Sequence, residues 1–134
     1  MKTTIILFAF VLTVNLFSQW QLTNGLGTAY VNVIKNINGT LYAGTDYSAY
    51  KSTNNGDTWI QINNGLPTDP EVRGISFADA ILYAAVYPDP RIYYSTNNGL
   101  QWLPTSNYPN TSSWTTNVTA ISGYLFAGTD EYTY

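Results

Sequence analysis

Ser52-Thr53-Asn54-Asn55-Gly56-Asp57-Thr58-Trp59 is matched 43 residues later by Ser95-Thr96-Asn97-Asn98-Gly99-Leu100-Gln101-Trp102. Five consecutive residues are identical, and a tryptophan closes each segment at the same offset. Self-similarity at such a period marks a stacked or radial array of supersecondary units, so the repeat decides the architecture before any single residue is weighed.

Working outward from these turns, three segments share one apolar pattern. They are Ile34, Ile37 and Leu41–Asp46; Ile75, Ala78 and Leu82–Tyr87; and Val118, Ile121 and Leu125–Asp130. The first two continue into Ala49–Ser52 or Ile92–Ser95, then the Asn-Asn-Gly turn, then tryptophan. Each repeat predicts four short strands: one near Ile34, then Leu41–Thr45, Ala49–Ser52 and Thr58–Ile62. Runs of Tyr, Val, Ile, Thr and Trp bounded by Asn, Gly, Asp and Pro carry strand-and-turn chemistry. The six prolines are expected between strands, where a missing N–H costs no ladder bond. Four antiparallel strands per repeat of about 40–45 residues match one blade of an all-β propeller.

The turn sequence Ser-x-Asn-x-Gly-x-x-Trp resembles the Asp-box of the BNR-repeat propellers. That group includes sialidases, sortilin-type receptor domains and xyloglucan-degrading hydrolases. Asn54 and Asn97 stand where the box usually carries aspartate. An asparagine makes the same type of bond to backbone N–H groups two residues on. Gly56 and Gly99 are expected to supply positive φ. Trp59 and Trp102 are expected to pack between neighbouring sheets. The resemblance covers about Trp20 to the end of the chain. It implies that Ser52, Asn54, Gly56, Trp59, Ser95, Asn97, Gly99 and Trp102 are structural, remote from any active site.

Counting bears on closure. Setting aside residues 1–18, the rest of the 134-residue chain holds about 2.7 repeats of about 43 residues. A ring needs at least four blades. An incomplete propeller is therefore expected, a piece of a longer protein. The alternatives are several copies of the chain forming one ring, or an open fan. Trp20–Leu26 resembles Trp59–Leu66, so it reads as an outermost strand that completes a last blade.

The amino-terminal segment points to a compartment. Lys2, an apolar run from Ile5 to Val14 and a small Ser18 fit a secretory signal peptide over residues 1–18. The run is too short to span a bilayer comfortably, so no membrane span is expected after its removal. Residues 19–134 then form the propeller unit, secreted or at the cell surface. Cysteine is absent, which excludes disulfides, thiolate catalysis and zinc–thiolate sites. Packing carries the stability instead, and 45% hydrophobic and 16% aromatic residues supply it. Charged residues are only 10%, against about 25% in an ordinary domain. With five scattered basic residues and a net charge of −3, nucleic acid is excluded as a partner class.

Little in the sequence does chemistry. Histidine is absent, so histidine bases, Ser-His triads and histidine metal ligands are excluded. Sialidase chemistry, as the resemblance implies it, needs three arginines and a tyrosine–glutamate pair; only Arg73 and Arg91 exist. Glycoside hydrolysis needs two facing carboxylates, about 5–10 Å apart. Asp46 and Asp130 occupy equivalent positions and are expected to end a strand and bond to the following turn. No catalytic, metal-binding or cofactor-binding residue is assigned, and no cofactor is implied. Tyr108 and Trp114 stand out as a candidate binding surface, since exposed aromatics on a rigid scaffold suit carbohydrate or protein partners. The reading is a non-catalytic binding or surface-display module. The alternative is a glycoside hydrolase whose catalytic residues lie mostly outside this chain.

Overall fold

The computed structural model describes residues 24–106 and 113–131. The expected leader, most of the Trp20–Leu26 strand, Tyr108 and Pro109 lie outside them. Three antiparallel sheets follow one another. The first contains β1 (Val31–Ile37), β2 (Thr40–Thr45), β3 (Ala49–Ser52) and β4 (Ile60–Gln61), hydrogen-bonded in that order. The second repeats it with β5 (Glu71–Ala78), β6 (Ile81–Tyr87), β7 (Ile92–Ser95) and β8 (Leu103–Pro104). The third pairs β9 (Ser113–Ile121) with β10 (Tyr124–Glu131). No helix occurs among the described residues. Within the described residues the four strands expected of each of the first two repeats appear, though the outermost ones shrink to two residues.

The register is repeated along with the order. Leu41 faces Ser52 as Leu82 faces Ser95. Ile34 faces Ala43, Ile75 faces Ala84, and Val118 faces Ala127. In all three sheets the inner pair shifts register at the same place, leaving Asn32, Arg73 and Thr116 as the unpaired residue of a bulge. A bulge adds one residue and re-aims its side chain.

Sheets stack face to face, so the middle sheet is covered on both sides and reads as a continuous apolar run rather than an alternation. Leu82, Ala84 and Val86 join the core shared with the first sheet, which also holds Tyr42, Ile62, Val72, Ile75 and Trp102. Ala85 and Ile92 face the other way and meet Val118 of the third sheet. Within the strands themselves, approach is close enough to demand glycine at Gly44 and Gly74. A Cβ on Gly44 would lie 2.6 Å from the Val72 carbonyl oxygen, and one on Gly74 2.9 Å from the Val118 nitrogen. The outward faces of the array are bare by comparison. Ile34 is 52% exposed where its equivalent Ile75 is 2% exposed.

Two expectations need correction. Pro104 sits inside a strand, opposite Tyr93, not between strands. It is tolerated because β8 is the outermost strand of its sheet, and the next residue supplies the bond through Thr105 N to Ile92 O, 2.8 Å. Asp46 does not bond to the following turn. Its Oδ1 accepts from Tyr30 N at 3.0 Å, tying β2 back to the chain entering β1. The following turn is held by Thr45, whose Oγ1 accepts from Ser48 N and donates to Ser48 O, both 3.0 Å. Asp130 lies within β10, opposite Trp114.

Candidate ligand-binding face

Antiparallel order gives the array two rims. One carries the β1–β2 type hairpins and the Ser-Thr-Asn-Asn-Gly turns. The other carries the connections into β1, β5 and β9 and the β2–β3 type loops.

On the turn rim, both copies fold alike. Ser52 Oγ donates to Asn54 Oδ1 at 2.8 Å and accepts from Gly56 N at 2.9 Å. Ser95 Oγ donates to Asn97 Oδ1 and accepts from Gly99 N, both 2.9 Å. The asparagine oxygen accepts from the backbone four residues on, Thr58 N at 3.0 Å or Gln101 N at 2.9 Å. That is two residues further than the sequence suggested, because the serine hydroxyl takes the nearer N–H groups. Gly56 and Gly99 have φ of 95° and 81°, preceded by Asn55 and Asn98, both at 57°. Trp102 is 1% exposed and its Nε1 donates to Ile62 O of the preceding sheet at 2.7 Å. Its backbone N donates to Asn64 O at 2.8 Å. The serine, asparagine and glycine of each turn thus bond to one another, whereas Trp59 is only half-buried and its buried Nε1 has no hydrogen-bond partner among the described residues.

The opposite rim is different. The bulge at Arg73 swings its guanidinium over the Tyr87 ring, 3.7 Å from the centroid. Tyr87, at the end of β6, meets Trp114 of β9 edge-on, with centroids 4.7 Å apart and planes at 88°. Glu71 Oε1 accepts from Arg73 Nε at 2.8 Å, with both side chains 29% exposed. Asn32, the equivalent bulge residue of the first sheet, donates from Nδ2 to Val72 O at 3.3 Å. A guanidinium, a phenol and an indole thus form a partly buried cluster across the junction of two sheets. Cation–π and edge-to-face contacts of this kind favour one geometry.

Beside the cluster, the β6–β7 loop holds a closed ionic network. Arg91 binds Asp89 through Nε at 2.9 Å and Nη2 at 2.7 Å, and Tyr93 OH donates to Asp89 Oδ2 at 2.7 Å. Burial alone pushes the Asp89 carboxyl up, but hydrogen bonds from Arg91 and Tyr93 outweigh it and hold it below the usual carboxylate range. Burial and the bond to Asp89 push the Tyr93 phenol up to about 12. Asp89 is thus held ionised and Tyr93 protonated at neutral pH. The loop is latched to the next sheet by Thr115 Oγ1, which donates to Pro90 O at 2.6 Å.

Of the two candidate aromatics, Trp114 joins the Arg73–Tyr87 cluster. Arg73 and Tyr87 were not singled out from the sequence. The signal available for them was the repeat itself, since Arg73 falls two residues before Ile75 as Asn32 does before Ile34.

Comparison with known proteins concerns the fold. No sequence family matches the chain, and no curated protein matches it. Solved structures do match. YCF48 from Cyanidioschyzon merolae aligns over 69% of this chain and 29% of its own, at 16% identity and a TM-score of 0.55. The chain is part of a β-propeller. YCF48 bound to D1 peptide aligns at 18% identity and a TM-score of 0.59, over 70% of this chain and 31% of that one. An ancestral GH74 enzyme aligns at 17% identity and a TM-score of 0.52, over 66% of this chain and 14% of that one. The propeller arc described here therefore spans less than a third of the length of the solved propellers it resembles.

Proposed function

We propose that this arc is a non-catalytic binding module, an exported piece of a longer Asp-box propeller that recognises protein or carbohydrate at the cell surface. The observation that carries the proposal is the partly exposed cluster of Arg73, Tyr87 and Trp114 on the rim opposite the turns. Such a cluster offers an amphipathic platform to a sugar ring or a peptide side chain. The similar propeller YCF48 is known bound to a D1 peptide, which favours a protein partner. Export rests on the leader-like residues 1–18.

A glycan array and a peptide array, each probed with the wild-type chain and with Trp114→Ala, test the reading. Expected are hits on one of the two arrays that Trp114→Ala weakens by about tenfold or more, in keeping with the loss of an aromatic anchor. Hits that survive both Trp114→Ala and Arg73→Ala would move the binding surface elsewhere.

The likeness to a GH74 enzyme keeps a second reading, a glycoside hydrolase whose acid pair is only partly contributed by this arc. Glu71 and Asp89 each lie in an arginine pair, whereas Asp46 and Asp130, at equivalent positions of their repeats, are not in one among the described residues and are this chain's candidates for the contribution. Release of reducing sugar from xyloglucan that Asp130→Asn abolishes would favour it over the binding module.

A further inference from the structure

The junction between the first and second sheets, both four-stranded, is open on the turn rim. A cavity of about 380 Å³ lies there, lined by Ile37, Asn38, Tyr42, Lys51, Phe77 and Asn98 among others. One of about 340 Å³ adjoins it, shares Ile37, Asn38 and Phe77, and adds Lys35. The next junction is latched at the equivalent place. There Asp79, in the turn between β5 and β6, accepts from Ser122 Oγ at 3.1 Å and from Gly123 N at 3.0 Å. The cavity beside that latch is about 190 Å³. Asn38 holds the position of Asp79 in the first repeat, and no such bond crosses from it among the described residues.

The open groove is rich in unmatched donors. Lys35 of β1 pairs directly with Tyr42 of β2, and Tyr42 with Lys51 of β3. Directly opposed residues project from one face with Cβ atoms about 5 Å apart, so two ammonium groups flank one phenol. The repeat does not require this row, since its counterpart in the second sheet is Ser76, Tyr83 and Tyr94. Tyr42 lines the groove and is 3% exposed, and its hydroxyl has no hydrogen-bond partner among the described residues. Burial pushes that phenol up, so it keeps a proton to donate. Neither lysine meets a carboxylate among the described residues, because Glu71 and Asp89 pair with the two arginines. Lys51 Nζ reaches the Asn98 carbonyl at 3.4 Å, which leaves its other N–H groups over. Two cations around a buried, unpaired hydroxyl call for a charged acceptor.

We propose that this groove binds an anionic sugar residue, with Lys35, Lys51 and the Tyr42 hydroxyl holding its carboxylate or sulfate and Phe77 packing on the ring. The amides and hydroxyls of Asn38, Asn98, Thr40 and Thr53 around them suit a ligand rich in hydroxyl groups. The volume falls within the range of about 300–1,000 Å³ usual for small-ligand sites. An extended peptide fits less well. β2 and β3, which carry Tyr42 and Lys51, are paired on both edges and offer it no main chain. The groove lies on the rim opposite Arg73, Tyr87 and Trp114 and does not depend on what that cluster binds.

The test is an NMR amide-shift titration of the full 134-residue chain with glucuronic acid, a sulfated galactose and glucose. Expected is saturable binding of an anionic sugar that weakens as salt is raised, with shifts centred on Lys35, Tyr42, Lys51 and Phe77. Binding of either anionic sugar supports the proposal, and the tighter of the two names the group. Lys35→Gln and Lys51→Gln should each weaken it by about tenfold, as the loss of a charge-assisted hydrogen bond does. Tyr42→Phe separates binding from folding. It should weaken the sugar by about fivefold and leave the melting temperature of the free chain unchanged, because the hydroxyl has no partner in the fold to lose. A lower melting temperature for Tyr42→Phe, equal affinity for glucose, or binding that survives both lysine changes would overturn the proposal. So would an absence of saturation, or tighter binding of a hexaglutamate peptide, since the occupant would then be an acidic polypeptide.

Discussion

Asn97 shows how one side chain can replace another without altering a turn. Its Oδ1 accepts from Ser95 Oγ and from Gln101 N, both at 2.9 Å. An aspartate would accept the same two bonds, so Asn97→Asp should leave stability within about 0.5 kcal/mol. Asn97→Ala leaves Gln101 N and Ser95 Oγ without that partner and should cost about 1–2 kcal/mol in a denaturant titration. A second residue-scale prediction concerns Asp89. Its carboxyl is depressed in the fold, so the stability it contributes is present above the unfolded value, about 3.9, and is lost as pH falls through the folded value. Asp89→Asn should therefore lower stability by about 1 kcal/mol near neutral pH, and the gap should narrow as acid protonates the carboxyl in the fold. Thermal melts of both proteins across pH would show it. A gap that persists in acid would mean that the loop is held by something other than this charge.

At the scale of the element, the junction between sheets is where backbone meets backbone. Gly65 has φ of 91°, and a Cβ there would collide with the Trp102 carbonyl. Gly27 also has a positive φ, 61°, but nothing lies within 4 Å of the Cβ it lacks. Both alanine variants carry left-handed strain of about 1–2 kcal/mol, so the difference between them isolates the collision. Gly65→Ala should be the more costly by at least about 2 kcal/mol in the same titration. Elements were also the scale most legible in the sequence. The repeated turn and the Leu-Tyr-Ala pattern located every strand, because two-residue alternation and turn chemistry are local. The bulges at Asn32, Arg73 and Thr116 were not legible, since a register shift depends on both strands of a pair. The candidate face followed suit. Trp114 stood out as an aromatic outside the turn position, but the partners it meets, Tyr87 and through it Arg73, come from a different sheet.

At the scale of the whole molecule, burial is graded along the array. Ile75 is 2% exposed between two sheets, its equivalent Ile34 faces outward at one end, and Phe126, 57% exposed, faces outward at the other. With no disulfide to staple the ends, local stability should follow this gradient, because opening free energy tracks buried apolar contact and protected backbone. Repeat arrays behave this way when each unit is stabilised chiefly by its neighbours. Native-state amide exchange should therefore be slowest in β5 and β6, where Val72, Ala84 and Val86 are fully buried, and fastest in β10. Protection of β10 equal to that of β6, at a concentration where the chain sediments as a monomer, would contradict the gradient. The same strand gaining protection as concentration rises would instead mean that another copy has covered the bare face.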